Sequence, residues 1–195
     1  MIKVGITGGI GSGKTTICRM FSVLGVPVFV ADAAGKQLMN EDPVLREQII
    51  RLFGQAVYLP DGTIDRKYLA GIVFNDASSL EKLNAVVHPA VHKAFNEWVL
   101  KQRAPYVLHE AAILFESGFS QMMDFTIAIV TEEDQRIARV MKRDKISEEL
   151  VRQRIKNQFT DEQRIQLADF IISNNESDLV IPQVLEIDKK IRLHG

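Results

Sequence analysis

Across 195 residues, 24 lysines and arginines stand against 25 aspartates and glutamates, a formal net charge of −1, and 46% of the chain is apolar. That size and balance suit one globular domain and leave no global basic field, so nucleic acid is not expected as a partner. No window approaches the roughly twenty apolar residues of a membrane-spanning helix, and the lone cysteine, Cys18, has no disulfide partner in the chain, so a cytoplasmic setting without a membrane is expected.

Ile2, Val4 and Ile6 make a short apolar strand, and with the chain starting there no removable leader is expected. The strand runs into Gly8-Gly9-Ile10-Gly11-Ser12-Gly13-Lys14-Thr15, an ungapped match to the phosphate-binding pattern G-x-x-x-x-G-K-[ST]. Glycine is needed there because the loop must take positive φ and bring bare backbone N–H groups against an anion. The next helix, read as Thr16 to Leu24, adds the partial positive charge of its N-terminus. Gly11, Ser12, Gly13, Lys14, Thr15 and Thr16 are therefore the candidate triphosphate-binding residues. Lys14 is expected to reach the β- and γ-phosphates of a nucleoside triphosphate, and the Thr15 hydroxyl to ligate Mg²⁺. Cys18 lies inside that helix, where the plain reading is a small buried residue.

Gly25-Val26-Pro27 closes the helix, and Val28-Phe29-Val30 is a second strand running to Asp32. Strand, helix and strand without a hairpin turn argue for a parallel βαβ unit. Strand C-termini face the ligand crevice in such sheets, so Asp32 is expected on the edge that carries the phosphate loop. It has two readings at this point: a carboxylate for chemistry, or a cap for the helix Ala33 to Met39. Asp42-Pro43 then starts a helix carrying Leu45, Ile49, Ile50, Leu52 and Phe53. Pro60-Asp61-Gly62 is a turn, followed by a helical pattern through Leu69 to Ile72, Val73 and Phe74. Ser78-x-x-Glu81 reads as a capping box for a helix with Leu80, Leu83 and Val87. Pro89, after His88, is expected to interrupt that helix, with a further one running to about Gln102.

Pro105 to His109 is a third strand, continuing into Glu110, and Phe125 to Val130 is a fourth, apolar apart from Thr126 as a central parallel strand should be. Thr131-x-x-Asp134 resembles a capping box opening a helix to about Asp144. On that helix Arg136, Arg139 and Arg143 share one face. Ser147 caps a helix with Arg152, Arg154 and Lys156, and Thr160-x-x-Gln163 opens another, ending near Ala168. Phe170-Ile171-Ile172 is the fifth strand, before a last helix over about 178–193. The expected architecture is α/β. It is a three-layer P-loop kinase core with a five-stranded parallel sheet (1–32, 103–131 and 159–195), a helical acceptor-binding excursion (33–102) and a helical lid (132–158) in a single domain.

No guanine-selecting Asn-Lys-x-Asp segment follows a late strand, which argues against a GTPase, and Glu110 is only a weak counterpart of a metal-organising strand-end Asp. Three guanidiniums on one helix face make sense if they close over a polyphosphate and exclude water. A small-molecule kinase fits this set, with Lys14, Mg²⁺ and the arginines neutralising the transferring group and Asp32 taking the acceptor proton. A kinase for a nucleoside monophosphate would share these features, as would an ATP-binding switch in which Asp32 is only a cap.

Taken together, Thr7 to Lys14, Ala31-Asp32, Asp61-Gly62-Thr63-Ile64-Asp65-Arg66, His88-Pro89, Ile113-Leu114-Phe115-Glu116, Arg139-x-x-x-Arg143-Asp144, Arg154 with Gln158, and Ala168-Asp169-x-Ile171 before Asn174 resemble the dephospho-CoA kinase family. The resemblance runs from Met1 to about Asn175. It implies ATP-dependent phosphorylation of the ribose 3′-hydroxyl of dephospho-CoA, with ATP as co-substrate and Mg²⁺. Carried over, Asp32 matches the acceptor-side base, Arg139 and Arg143 match lid arginines, and Lys36, Arg66, His88 and Glu116 fall on the acceptor-binding side. The chain departs from the family pattern at Val30, at Lys36 and at Ala112. Lys36 replaces a common Arg, keeping the charge without the bidentate fork.

Overall fold

The computed structural model describes residues 1–73 and 76–194, so Phe74, expected on a helix, lies outside the described residues. Met1–Val30 with Lys101–Gly195 form one compact unit and Ala31–Leu100 a second.

In the first unit, β1 (Ile2–Gly8), β2 (Val28–Val30), β3 (Tyr106–Glu110), β4 (Phe125–Val130) and β5 (Phe170–Ser173) make a wholly parallel sheet in the order β2-β3-β1-β4-β5. Ile6 stands opposite Glu110 on one side and Ile127 on the other. Val4, Ile6, Leu108, Ile127 and Ile129 are fully buried, as strands covered on both faces must be. One face is covered by α1 (Lys14–Val23), through Ile17, Cys18 and Phe21, and by α9 (Val180–Arg192), through Val184, Ile187 and Ile191. The Tyr106 hydroxyl donates to Asp188 Oδ1 at 2.7 Å, and the Arg192 guanidinium donates to Leu24 O at 2.9 Å, tying α9 to β3 and to the end of α1. On the opposite face, His109 stacks between the rings of Phe29 and Phe119, and Leu114 fills the space over Gly5. Because the strands are parallel, Gly8, Val30, Glu110, Val130 and Ser173 all end on one edge, where the phosphate loop begins. Around the later strands run α6 (Glu133–Asp144), α7 (Glu148–Lys156) and α8 (Asp161–Leu167).

The second unit holds α2 (Ala31–Glu41), α3 (Pro43–Phe53), a 3₁₀ turn at Gln55–Val57, α4 (Arg66–Val73) and α5 (Ala77–Val99). They close around Leu45, Ile49, Val57, Tyr58, Ile64, Leu69 and Val73. Asp42 caps α3 as its sequence foretold, its carboxylate accepting from the N–H groups of Val44 and Leu45.

Four expectations are corrected here. Pro89 does not break the helix, since α5 runs through it from Ala77 to Val99. An interior proline costs a helix about 3 kcal/mol, but each fully buried Val or Phe contributes about 1.5–3 kcal/mol, and Val91, Phe95 and Val99 are all buried beyond it. The cap of α5 is Asp76, which accepts from the amides of Ser78 and Ser79, rather than Ser78; a carboxylate can take both amides at once. Thr131 does not cap α6: its hydroxyl is drawn to Ser12 O and Asn174 O instead, and Glu132 precedes the helix without a side-chain cap. Helix α2 starts at Ala31, directly after β2, so Asp32 lies within its first turn instead of before it.

Candidate active site

Between Gly8 and Lys14 the chain makes the turn its glycines demand. Gly11 and Gly13 have φ of 82° and 91°, the left-handed region that side-chain-bearing residues avoid. The loop is also pressed from outside. A Cβ on Gly11 would lie 2.5 Å from the backbone oxygen of Arg136, one on Gly9 would meet the Arg136 guanidinium, and one on Gly13 would meet Asn174 Nδ2. Helix α6 and the segment after β5 therefore pack directly on the loop, and no side chain but hydrogen fits between them.

Lys14 Nζ folds back over the loop, donating to Gly8 O at 2.6 Å and reaching Gly9 O at 3.4 Å. Thr15 and Thr16 are exposed in the first turn of α1, so the Thr15 hydroxyl, a hard oxygen donor, is accessible to a Mg²⁺ ion that also takes phosphate oxygens and water. Bare amides, a helix N-terminus and an ammonium meeting in a cradle a methyl group would fill suit a triphosphate. Behind the loop, burial and the charge of Glu110 push the Cys18 thiol up to about 12, against the opposing effect of Lys14. Cys18 is accordingly an inert core residue, and Glu110, nearly buried at the end of β3, lies within electrostatic reach of it.

The three arginines of α6 divide among different environments. Arg136 is only 5% exposed and wedged against the loop. Arg139 is half-buried and donates to Asn174 O at 3.0 Å, while Asn174 Nδ2 donates to Ser12 O at 2.7 Å, which joins Arg139 to the phosphate loop through one residue. Arg143 is exposed and pairs with Asp144 at 2.6 Å. Asp144 also receives Arg154 at 3.1 Å, linking α6 to α7, and its hydrogen bond from Arg143 holds its carboxyl below the usual range. Arg143, Asp144 and Arg154 of the motif are thus an assembled cluster, while Arg139 is held on Asn174 instead.

Glu116, expected on the acceptor side, accepts the Phe159 N–H at 2.9 Å and faces Arg164 at 3.7 Å. Arg164 is fully buried and bonds Asp161 at 2.9 Å; burial pulls its pKa down while both carboxylates oppose the shift. Nothing in the sequence singles out Arg164, which sits in a short helix among Asp161, Glu162, Gln163 and Gln166. Asp169 is structural: its Oδ2 accepts both the backbone N–H and the hydroxyl of Thr126, at 2.7 and 2.8 Å.

In the second unit, Asp32 and Lys36 are exposed one turn apart on α2. Among the described residues, no amide of α2 bonds the Asp32 carboxylate, so it does not act as a cap. The Asp61-to-Arg66 motif builds a turn and a cap. Asp61 Oδ1 accepts from Thr63 N–H at 2.9 Å, and Asp65 Oδ1 accepts from Tyr68 N–H at 2.9 Å, presenting exposed Arg66 as the first residue of α4. Arg46 donates to Gly62 O at 2.7 Å while stacking on Tyr58, which fixes the turn. His88 is half-buried midway along α5, and burial lowers its pKa.

Comparison with known proteins gives consistent results. The family model described as dephospho-CoA kinase matches residues 2–179. The chain is 43% identical over 180 residues to a dephospho-CoA kinase of Salinibacter ruber, covering 90% of this chain and 89% of that protein. Among solved structures, TT1252 from Thermus thermophilus is 34% identical with a TM-score of 0.84, covering 99% of this chain and 96% of that one. A dephospho-CoA kinase from Campylobacter jejuni is 27% identical with a TM-score of 0.70, covering 98% of each chain.

Proposed function

The chain belongs to the dephospho-CoA kinase family, and on that premise we propose that it transfers the γ-phosphoryl group of ATP to the ribose 3′-hydroxyl of dephospho-CoA, the final step of coenzyme A synthesis. The observation that carries this reading is the phosphate loop, with left-handed Gly11 and Gly13 and Lys14 curled over its mouth. Phosphoryl transfer asks the protein mainly for positioning and charge neutralisation.

Amides of Gly11 to Thr16 cradle the phosphates, and Lys14 exchanges its carbonyl partners for the β- and γ-phosphate oxygens. The Thr15 hydroxyl would hold a Mg²⁺ ion, which would supply neutralising charge at those phosphates. Arg139 and Arg143 act from α6, within a lid over 132–158 that excludes water as the transferring charge develops. Asp32 orients the acceptor hydroxyl and takes its proton, and its exposed carboxylate has no capping duty to surrender. Lys36, Arg66, His88 and Glu116 serve the acceptor side. Among the described residues no helix is long and apolar enough to cross a membrane, and a cytoplasmic location is part of this reading.

The test is ATP consumption by the purified chain, with Mg²⁺, in the presence and absence of dephospho-CoA, beside a panel of nucleoside monophosphates. Consumption that depends on dephospho-CoA, with coenzyme A as product, is expected. Equal consumption with a monophosphate and none with dephospho-CoA would overturn it.

A further inference from the structure

Arg154 and Gln158 belong to the same motif, yet only Arg154 is accounted for by the Asp144 cluster. Gln158 lies in the connection between α7 and α8, and its Oε1 accepts the backbone N–H of Ile10, in the phosphate loop, at 2.9 Å. The residues that follow it are anchored in turn. Phe159 N–H donates to Glu116, Thr160 caps α8 with a full capping box, and Asp161 bonds Arg164 and accepts the Thr131 N–H at 3.3 Å. One short segment therefore grips the phosphate loop, the stretch after β3 and the end of β4. Its keystone, Arg164, is fully buried, so breaking the anchor would strand a charge in the interior.

We propose that Gln158 is a positioning residue for phosphoryl transfer, one that sets the direction of the Gly9–Gly11 stretch by holding the Ile10 amide. This rests on the kinase reading above. A glycine-rich loop has many backbone conformations, and only one turns its amides toward the triphosphate. The first half of this loop is otherwise held through its carbonyls, by the Ser12 N–H donating to Gly9 O at 3.1 Å and by Lys14 Nζ on Gly8 O, a bond Lys14 gives up when it turns to the phosphates; the Gln158 bond holds an amide. Without the Gln158 oxygen, the peptide before Ile10 can rotate, and the cradle is no longer formed before ATP arrives. Gln158 stands two residues beyond the end of α7, so it also passes the position of the α6–α7 pair to the loop.

Gln158→Met removes the acceptor at similar length, and Gln158→Glu restores an oxygen at the same place. Gln158→Ala serves as a second deletion in case the Met side chain repacks. Each is examined by calorimetry with Mg·ATP, steady-state kinetics, melting temperature and amide hydrogen exchange of the loop peptide. In the Met and Ala variants, ATP affinity and kcat/KM for ATP are expected to fall about tenfold, the worth of one hydrogen bond of this kind. Exchange protection at Ile10 should vanish, KM for dephospho-CoA should stay put, and the melting temperature should fall by no more than about 2–6 °C, the cost of one hydrogen bond. Gln158→Glu should recover to within about threefold and regain protection. Wild-type ATP affinity in both deletions, an equal loss for both substrates, or no rescue by Glu would overturn the proposal. A wild-type chain that binds no ATP would instead overturn the kinase reading itself.

Discussion

Replacing Gly11 with alanine separates two demands on the phosphate loop. The first is conformational, because φ of 82° costs an L-residue about 1–2 kcal/mol. The second is steric. The added Cβ would lie 2.5 Å from Arg136 O and 2.9 Å from Val140 Cγ2, and a backbone oxygen within α6 cannot swing aside as a side chain can. Overpacking of that kind costs about 1–3 kcal/mol more. Gly25 supplies the control, having φ of 83° with nothing within 4 Å of its would-be Cβ. For a chain of this size 1 kcal/mol moves Tm by about 2–4 °C, so Gly25→Ala should lower it by about 2–8 °C and Gly11→Ala by about 4–20 °C. Thermal denaturation beside calorimetric titration with ATP measures both effects. Gly25→Ala should keep its ATP affinity, and Gly11→Ala should lose at least about tenfold, since the displaced loop no longer aims its amides. Equal melting shifts in the two variants, with ATP binding intact in Gly11→Ala, would refute the packing of α6 on the loop as the cause.

Asp32→Asn should lower kcat by at least about a hundredfold, because Asn cannot accept the proton. Its melting temperature should fall only slightly, the loss of one charge in the first turn of α2 being worth about 0.3–1 kcal/mol; a folded, nearly fully active variant would pass the role to another group. Arg139→Ala should reduce kcat by about a hundredfold or more with a smaller change in ATP affinity, since its contact with phosphate forms in the closed, transferring state. A rise in KM for ATP alone would make Arg139 a ground-state anchor. Cys18 should resist alkylation at pH 8 in the native protein and react readily in denaturant. Its folded pKa is raised to about 12, so the unfolded chain binds fewer protons above the ordinary thiol value. Stability is therefore complete below about pH 9 and falls as pH rises toward 12 by up to about 1.4 kcal/mol per unit, and urea titrations of Cys18→Ala should lack that slope.

The residues by themselves determined what depends on near neighbours. The five strands, the phosphate loop, the capping box at Thr160 and the caps at Asp42 and Ser147 are where the pattern placed them, because apolar runs, glycines and capping side chains act within a few residues. The placement of Lys14 and Thr15 where the loop meets α1 was legible for the same reason, being written into eight consecutive positions. Tertiary structure decided the rest, through contacts between residues far apart in the chain. Pro89 remains inside a helix because Val91, Phe95 and Val99 are buried after it, a free energy no local propensity contains. Thr131 abandons the cap for Ser12 O and Asn174 O, which only the folded sheet edge brings within reach. An arginine face that looks uniform on a helical wheel becomes one buried wedge, one contact to the Asn174 carbonyl and one surface ion pair, because α6 lies against the phosphate loop at Arg136 and Val140 while Arg143 is exposed beyond them. Gln158, Glu116 and Arg164 carry no local signal of their connection: their partners lie 148, 43 and 48 positions away, and the fold alone brings them together.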